Sequence, residues 1–320
     1  MKVRPGYALA LMLLLSGCYD DLDWKTVPGS RGAFITRALW RNSHELWFRG
    51  TDPTLVRESS GAWKALKTCS GEGWLGGDFA FAEDGVVWVQ CRKLGASTSF
   101  KLVRFAADLS STEVHYPNGE TTLGLVQAGN SVRFMGKAQL YARDGDSWSV
   151  LSSHPFAFGL AGIGEGPDDF IVEGTLPDDV SGAARWNGEE FVATELISTG
   201  SLSLRGGKLF DGTSRVVAGK RITPPIAADA VDRNIRFSSP LDEKRFMHLA
   251  MPFSTAFDSA TTGGVWLETA ADEDLEFLGH APFSTGDLSR GGGISFFYAV
   301  DETTALVGIP GPNRRLVEGQ

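Results

Sequence analysis

The sequence has little of what a helical, metal-binding or nucleic-acid-binding protein needs. No window of 15 residues keeps apolar residues at spacings of three and four, which argues against long amphipathic helices. The net charge is −9, and no cluster of basic residues offers a surface for a phosphate backbone. None of the five histidines has a second histidine or a cysteine at metal-ligand spacing; they are His44, His115, His154, His248 and His280. We therefore expect no long helix, no metal or other cofactor, and no nucleic-acid partner.

Catalytic motifs are also missing. There is no Gly-x-Ser-x-Gly, which excludes a nucleophile elbow, and "SRGGGIS" at residues 289–295 lacks the lysine of a phosphate loop. Acidic clusters occur in "ARDGDS", "GPDDF", "LPDDVSG" and "ADEDLE", but none has the spacing of an EF-hand loop. We interpret them as solvated turn residues, with a calcium ion between neighbouring turns as the open alternative. No catalytic, cofactor-binding or metal-binding residue is assigned, and an enzyme is the less favoured class.

The amino terminus has the form of an export signal. Residues 1–6 carry Lys2 and Arg4 without an acid, and residues 7–15 are apolar but too short to span a bilayer. This run ends in Leu15-Ser16-Gly17-Cys18, which resembles the bacterial lipobox. The resemblance implies cleavage before Cys18, a diacylglycerol on its sulfur and an acyl chain such as palmitate on the new amino terminus. Two or more acyl chains anchor a protein stably to a membrane.

The same resemblance suggests which membrane. In lipoproteins of enteric bacteria, an aspartate directly after the cysteine favours the inner membrane, whereas here Tyr19 stands there and Asp20 follows. We therefore expect a lipid-anchored envelope protein, favouring the outer membrane. The predicted organisation is a signal peptide over residues 1–17, an acylated tether over 18–30 and a folded domain over 31–320. Cleavage would leave 303 residues with a net charge of −11, because Lys2 and Arg4 are lost.

Cysteine usage fits export. The chain has three cysteines, and lipidation of Cys18 leaves Cys69 and Cys91. An even remainder in an exported chain suggests a disulfide. Closing a loop of about 23 residues would stabilise the fold by ~3 kcal/mol. Two separate buried thiols are the alternative.

The body of the chain predicts an all-β fold. Its 39 glycines and 14 prolines punctuate short runs of β-branched and aromatic residues, a pattern of strands and turns. Seven of these runs centre on a large aromatic side chain, and their separations average near 42 residues. The seven are Trp47, Trp88, Phe134, Phe170, Phe210, Phe246 and Phe297. This period is typical of one four-stranded propeller blade.

A candidate hairpin follows each aromatic strand. The hairpins cover residues 54–66, 101–116, 139–151, 182–196, 216–226, 265–278 and 305–317. Two of them contain Asp144-Gly145 and Asn187-Gly188, dipeptides that favour tight hairpin turns. Radially stacked sheets would bury each other's apolar faces and keep their edges short. We expect residues 31–40 to close the ring by pairing with the C-terminal hairpin.

In these features the chain resembles bacterial β-propeller lipoproteins. It lacks the Gly-His and Trp-Asp pairs of WD40 blades, the regular Tyr and Trp of kelch repeats and the full Asp-box of sialidases. The predicted fold is an all-β propeller of seven four-stranded blades. Six or eight blades, or tandem β-sandwiches, are the alternatives.

Two functional hypotheses remain. In the first, the loops of the propeller make it a non-catalytic binding or scaffold module for an unidentified envelope protein or glycan, and the acyl chains hold it on the membrane. In the second, it is an envelope glycan hydrolase or lyase whose carboxylates converge at the central channel about 5 to 10 Å apart. Trp40, Trp74 and Trp186 are candidates for stacking on a sugar, although packing between blades is their more usual role. Paired acids at the channel mouth would favour the enzyme.

Overall fold

The computed structural model describes residues 22–32, 35, 37–49, 54–93, 99–116, 124–145, 147–178, 180–196, 198–199, 201–222, 235–250, 262–269, 275–284, 294, 296–309 and 315–320. Cys18 and the predicted signal peptide lie outside this set. Across the described segments, no helix is long and apolar enough to cross a bilayer.

The described residues form five four-stranded antiparallel sheets and one eight-stranded sheet. The eight-stranded sheet consists of two antiparallel groups of four strands, joined where residues 126–128 pair in parallel with residues 162–164. These seven groups of four strands are the blades, each running from an innermost to an outermost strand. The first strand, β1 (Trp24–Thr26), belongs to the seventh blade. Blade 1 contains β2 (Arg37–Arg41), β3 (Glu45–Arg49), β4 (Thr54–Glu58) and β5 (Trp63–Leu66). Blade 2 contains β6 (Trp74–Phe81), β7 (Val87–Lys93), β8 (Ser99–Phe105) and β9 (Ser111–Val114). Blade 3 contains β10 (Gly124–Ala128), β11 (Ser131–Met135), β12 (Gln139–Asp144) and β13 (Ser147–Ser153).

The remaining blades repeat this plan. Blade 4 contains β14 (Phe158–Gly166), β15 (Asp169–Thr175), β16 (Ser181–Trp186) and β17 (Phe191–Ala193). Blade 5 contains β18 (Leu202–Arg205), β19 (Lys208–Asp211), β20 (Ser214–Val217) and β21 (Lys220–Ile222). Blade 6 contains β22 (Ile235–Pro240), β23 (Arg245–Ala250), β24 (Thr262–Thr269) and β25 (Glu276–Ser284). Blade 7 contains β26 (Phe296–Ala299), β27 (Ala305–Ile309), β28 (Arg315–Gly319) and then β1.

The prediction of a seven-bladed propeller is therefore confirmed, and burial explains the architecture. In β3, Leu46 and Phe48 pack into the cluster shared with blade 7, whereas Trp47 between them packs toward blade 2. All three side chains are fully buried. Successive side chains of a strand point to opposite faces, so a blade buries both faces only when it has a neighbour on each side.

The ring closes differently from the prediction. Within residues 31–40, the described strand is β2, and it pairs with β3 as the innermost strand of blade 1 rather than with the C-terminal hairpin. The closing strand is β1, in which Trp24 pairs with Gly319 and Thr26 with Val317. Because β1 has only three residues, two of them exposed, it has no apolar pattern that would reveal a strand. It lies inside the segment predicted as tether.

The seventh aromatic strand was also misassigned. Six of the seven aromatic residues lie in the second strand of a blade, but Phe297 lies in the innermost strand β26. The second strand β27 has no aromatic residue, and Phe296 and Tyr298 of β26 supply the rings for the adjoining seam. As a result, the hairpin at residues 305–317 forms the second and third strands rather than the third and fourth.

The predicted disulfide is present. Cys69, in the connection from blade 1 to blade 2, is bonded to Cys91 in β7, with the two Cα atoms 5.7 Å apart. Both cysteines are fully buried in the cluster between these blades. The bond therefore ties the two blades together.

One seam between blades differs from the others. Apolar clusters close the other six seams within the described residues. Between blades 5 and 6, Phe210 meets Phe246 at 6.5 Å, and Glu243 forms ion pairs with Lys208 and Arg215. In addition, β18 of blade 5 contacts β2 of blade 1 across the axis. Residues of β18 line both of the cavities described below.

Candidate binding site at the channel mouth

A cavity of about 650 Å³ opens at one end of the channel. Every blade contributes to its wall at or just after the C-terminal end of its innermost strand. The wall residues used below are Trp40, Asn42, Gln127, Asn130, Glu165, Arg205, Gly206 and Gly207. The turns that connect first to second strands therefore converge here.

Arg205 is the main charged group of this mouth. It ends β18, only 7% of it is exposed, and its Nη2 donates a hydrogen bond to the carbonyl of Ala299 in blade 7. Its guanidinium carbon lies 3.9 Å from the ring centre of Tyr298. Its Nε is buried without a hydrogen-bond partner, and none of the described carboxylates forms an ion pair with it. Burial lowers the pKa of Arg205, opposed in part by Tyr298 and Asp301.

A tight turn holds Arg205 in this position. Arg205 pairs with Lys208 across a two-residue turn formed by Gly206 and Gly207. Both glycines have positive φ, at 54° and 75°, which this kind of turn requires. A Cβ atom on either glycine would meet no other atom within 4 Å, so the turn tip faces open space. The backbone of this tip is accessible to a ligand in the mouth.

Glu165 is the carboxylate among the described wall residues, and the protein already uses its charge. Glu165 forms an ion pair with Arg215 and accepts a hydrogen bond from the Leu209 amide at 2.9 Å. The wall described here thus holds one carboxylate, whereas glycoside hydrolysis uses two across the bond. Among the described wall residues, there is no pair of acids of the kind that would favour a glycan hydrolase.

The polar side chains of the mouth divide into two groups. Gln127 is fully engaged, because its Oε1 accepts from the Phe81 amide at 2.7 Å and its Nε2 donates to the Phe81 carbonyl at 2.9 Å. Gln127 of blade 3 thus bonds to both the amide and the carbonyl of Phe81 in blade 2, as a residue of a neighbouring strand would. Asn42 and Asn130 are exposed at the rim, where they can hydrogen bond to a ligand.

The three tryptophans proposed for sugar stacking do not form a common surface. Trp186 is buried between blades 3 and 4, where it packs against Phe170. Trp74 packs at the seam of blades 1 and 2, with the Lys101 ammonium 4.8 Å from its ring centre. Trp40 alone of the three lines the mouth. A single ring is a weak platform for a glycan.

A second cavity, of about 330 Å³, lies farther along the channel between blades 5, 6, 7 and 1. Ser238 of β22 lines it, and the Oγ of Ser238 lies 2.8 Å from Nδ1 of His248 in β23. Nε2 of His248 lies 2.6 Å from a carboxylate oxygen of Glu268 in β24. His248 is 1% exposed, and burial lowers its pKa, partly opposed by Glu268. Asp211, the carboxylate on the described wall of this cavity, is paired with Arg221.

Neither Arg205 nor the Ser238–His248–Glu268 array was predicted from the sequence. A signal for Arg205 exists, because "RGGK" is an arginine directly before a Gly-Gly hairpin turn. The array has no linear motif, because Ser238 and His248 are 10 residues apart and His248 and Glu268 are 20 residues apart. These side chains meet only because of the register of the strands, in which Ser238 pairs with His248. Register could not be read from the sequence.

The described acids of the four clusters lie in turns or at the ends of strands; Asp168 and Asp178 are in turns, whereas Asp144, Asp169 and Glu276 are strand ends. Asp169 forms an ion pair with Arg185 at 2.8 Å, and Asp178 accepts a hydrogen bond from Val180 in its own turn. No group of three histidine, cysteine or acidic side chains suitable for a metal occurs in the described part of the chain. Asp146, Asp179 and residues 272–274 lie outside the described residues.

No protein-family model matches this sequence, and no curated protein matches it. Solved structures are similar in fold. A GH74 enzyme from Niastella koreensis is 12% identical with a TM-score of 0.51, over 92% of this chain and 44% of that one. A chain of the mitotic checkpoint complex is 10% identical with a TM-score of 0.49, over 92% of this chain and 93% of that one. The propeller domain of the Trilobed protease from Pyrococcus furiosus is 10% identical with a TM-score of 0.42, over 92% of this chain and 95% of that one. At such identities the similarity shows the fold alone, which is a β-propeller.

Proposed function

We propose that this chain is a lipid-anchored envelope protein that binds one carboxylate-bearing segment of a membrane-protein partner in its channel mouth. The observation that carries the proposal is Arg205, a buried guanidinium in the cavity wall that forms no ion pair with a described carboxylate, although the charge of Asp301 offsets part of the effect of its burial. An uncompensated buried charge is costly to a fold, and a bound carboxylate would compensate it through charge-assisted hydrogen bonds.

The rest of the surface limits what the partner can be. The mature chain would carry a net charge of −11, so a run of acids would be repelled at long range. A single side-chain or terminal carboxylate is favoured instead. Asn42 and Asn130 at the rim suit the amide groups of an extended polypeptide, and the isolated Trp40 argues against a glycan.

The expected lipid anchor places the partner at the membrane. Across blade 7, Ala299 pairs with Ala305, Ala305 with Gly319 and Gly319 with Trp24. Trp24 is therefore level with Ala299, whose neighbour Val300 lines the mouth. If Cys18 is acylated, the six residues 18–23 reach at most ~20 Å and leave from the mouth side. Tyr19 after the cysteine supports the outer membrane as the location.

Photocrosslinking in the native envelope tests this function. A photoreactive residue at Asn130 samples the mouth, and one at Ala138, an exposed residue in the turn after β11, samples the opposite face. We expect a discrete crosslinked protein from position 130 and none from position 138. Arg205→Met should abolish this product, because loss of a charged hydrogen bond of ~1.5–3 kcal/mol weakens binding roughly 10- to 100-fold.

The control is Arg205→Lys, which keeps the charge but not the planar fork and should retain part of the product. A product of unchanged intensity in Arg205→Met would refute binding through this guanidinium. Equal products from positions 130 and 138 would show that the mouth is not the site.

A further inference from the structure

Ser238, His248 and Glu268 form a continuous hydrogen-bonded array across the three inner strands of blade 6. The two contacts, of 2.8 and 2.6 Å, lie within hydrogen-bonding distance for a nucleophile with its base and for a base with its orienting carboxylate. We propose that Ser238 is the nucleophile of an ester-hydrolysing site that faces the second cavity, with His248 as general base and Glu268 as a positioning residue.

The hydrogen bonds assign the protons that this chemistry requires. Glu268 accepts the Nε2–H of His248, which leaves the lone pair of Nδ1 to accept the Ser238 hydroxyl proton. Burial favours the neutral imidazole, because it lowers the pKa of His248. A neutral imidazole can take a proton from serine, whereas an imidazolium cannot.

A purely structural role explains the array poorly. The array lies on the face of blade 6 that carries Phe246 and meets blade 5. The other six seams of the described propeller are closed by apolar clusters. Apolar side chains of similar volume are often as stabilising as a buried polar array, or more so. Here the polar array coincides with a cavity that Ser238 lines.

The cavity limits the substrate to a small acyl ester. Its volume of about 330 Å³ is at the lower end of small-molecule sites, which begin near ~300 Å³. Ala38, Leu202 and Phe237 give it apolar walls. Arg37 lines the same cavity, held by the Thr199 carbonyl at 2.7 Å, and its charge favours an oxyanion. An O-acetyl ester has the required size.

The reaction balances without a further reactant. Ser238 Oγ bonds to the ester carbonyl carbon as its proton passes to His248 Nδ1. The bond to the leaving alcohol oxygen then breaks, and His248 returns the proton to that oxygen. Water attacks the resulting acyl-serine in the same way, so that ester and water give carboxylic acid and alcohol.

Active-site labelling of the intact chain tests the proposal. We expect a fluorophosphonate reagent to modify the protein at Ser238, as shown by peptide mapping, with loss of fluoride from phosphorus. The wild type should hydrolyse 4-nitrophenyl acetate, and Ser238→Ala and His248→Gln should reduce the rate roughly 100-fold or more. Glu268→Gln should lower kcat, expressed per site labelled by the fluorophosphonate, roughly tenfold or more at unchanged KM. Because only folded, reactive sites are counted, a loss of folded protein does not lower this value.

Matched controls are available in blade 3. Ser147 donates a hydrogen bond to the Asp144 carbonyl, and His154 is hydrogen-bonded to Gly136, both remote from the cavity. Ser147→Ala and His154→Gln should leave labelling and hydrolysis unchanged. A wild type that is not labelled, or labelling that persists in Ser238→Ala, would overturn the proposal. Neither result bears on binding at the mouth.

Discussion

At the scale of single residues, two buried arginines show how context decides what a charge does. Arg57 and Glu318 form an ion pair at 2.7 Å with both side chains buried, and Glu318 also accepts a hydrogen bond from Trp63 at 2.8 Å. This pair joins blade 1 to blade 7 and is neutral as a unit. Arg205 is equally buried but has Tyr298 and a carbonyl as partners. It has no ion-pair partner among the described carboxylates, which is why we propose it as the group that binds a ligand.

The two arginines should respond oppositely to the same substitution. Arg57→Met leaves Glu318 buried without its cation and should destabilise the fold by ~3–5 kcal/mol. Arg205→Met removes a buried charge that has no ion-pair partner among the described carboxylates, and it should leave the free energy of unfolding unchanged or raise it by ~1–4 kcal/mol. Urea unfolding of the two variants measures both effects. A large loss of stability in Arg205→Met would show that its charge is already compensated inside the protein.

His248 should make stability depend on pH. Its folded-state pKa lies below its ordinary value of about 6.5, so the unfolded chain binds the proton first as the pH falls. Stability should be unaffected above pH ~6.5 and should decline below it, by up to ~1.4 kcal/mol per pH unit. Urea unfolding at pH 7 and pH 5.5 measures this decline.

The decline should be absent in His248→Gln and preserved in His154→Gln. The group facing His248 that could mask the effect is Glu268, whose charge stabilises the imidazolium. A decline of the same size in His248→Gln would assign the pH dependence to other groups.

At the scale of strands, the elements that could be predicted are those whose own residues carry a recognisable sequence pattern. The aromatic strands, the six hairpins that precede blade 7 and the disulfide follow from alternation, turn dipeptides and cysteine count. Asp144-Gly145 and Asn187-Gly188 turn where expected, and both glycines have positive φ, at 58° and 98°. Such features depend on residues close together in the chain, which is why they could be recognised.

Long-range pairing was not predictable in the same way. β1 pairs with a strand almost 300 residues away, and its three residues carry no periodicity. Ser238, His248 and Arg205 are ordinary strand residues in the sequence and become distinctive only through register and burial. The mouth was expected in general terms, but not the groups that line it.

Removal of β1 should open the ring. Trp24 pairs with Gly319, and its indole Nε1 donates to the His280 carbonyl at 2.7 Å in blade 6. A chain beginning at Val27 would lose these bonds and expose the edge of β28. We expect its Tm to fall by roughly 5–10 °C relative to a chain beginning at Tyr19, as several backbone bonds are lost. Equal Tm values would show that β1 does not close the ring in solution.

At the scale of the whole molecule, the closing strand links the anchor to the site. The connection from Cys18 to β1 is short, and β1 begins on the face where the innermost strands end. An extended strand of about six residues spans ~20 Å, which is about the same distance as the full reach of residues 18–23. The expected acyl anchor would therefore hold the mouth toward the bilayer and the opposite face away from it.

Quenching by lipid head groups can measure this orientation. A fluorescent residue at Asn130, on the mouth side, should be quenched by a head-group quencher in vesicles that carry the acylated protein, and one at Ala138 should be quenched much less. Cys18→Ala should release the protein and remove quenching at both positions, because both signals depend on the acyl chains. Stronger quenching at Ala138 would mean that the mouth faces away from the membrane. A partner segment would then have to reach it from the aqueous side, so this measurement decides which class of partner the mouth can bind.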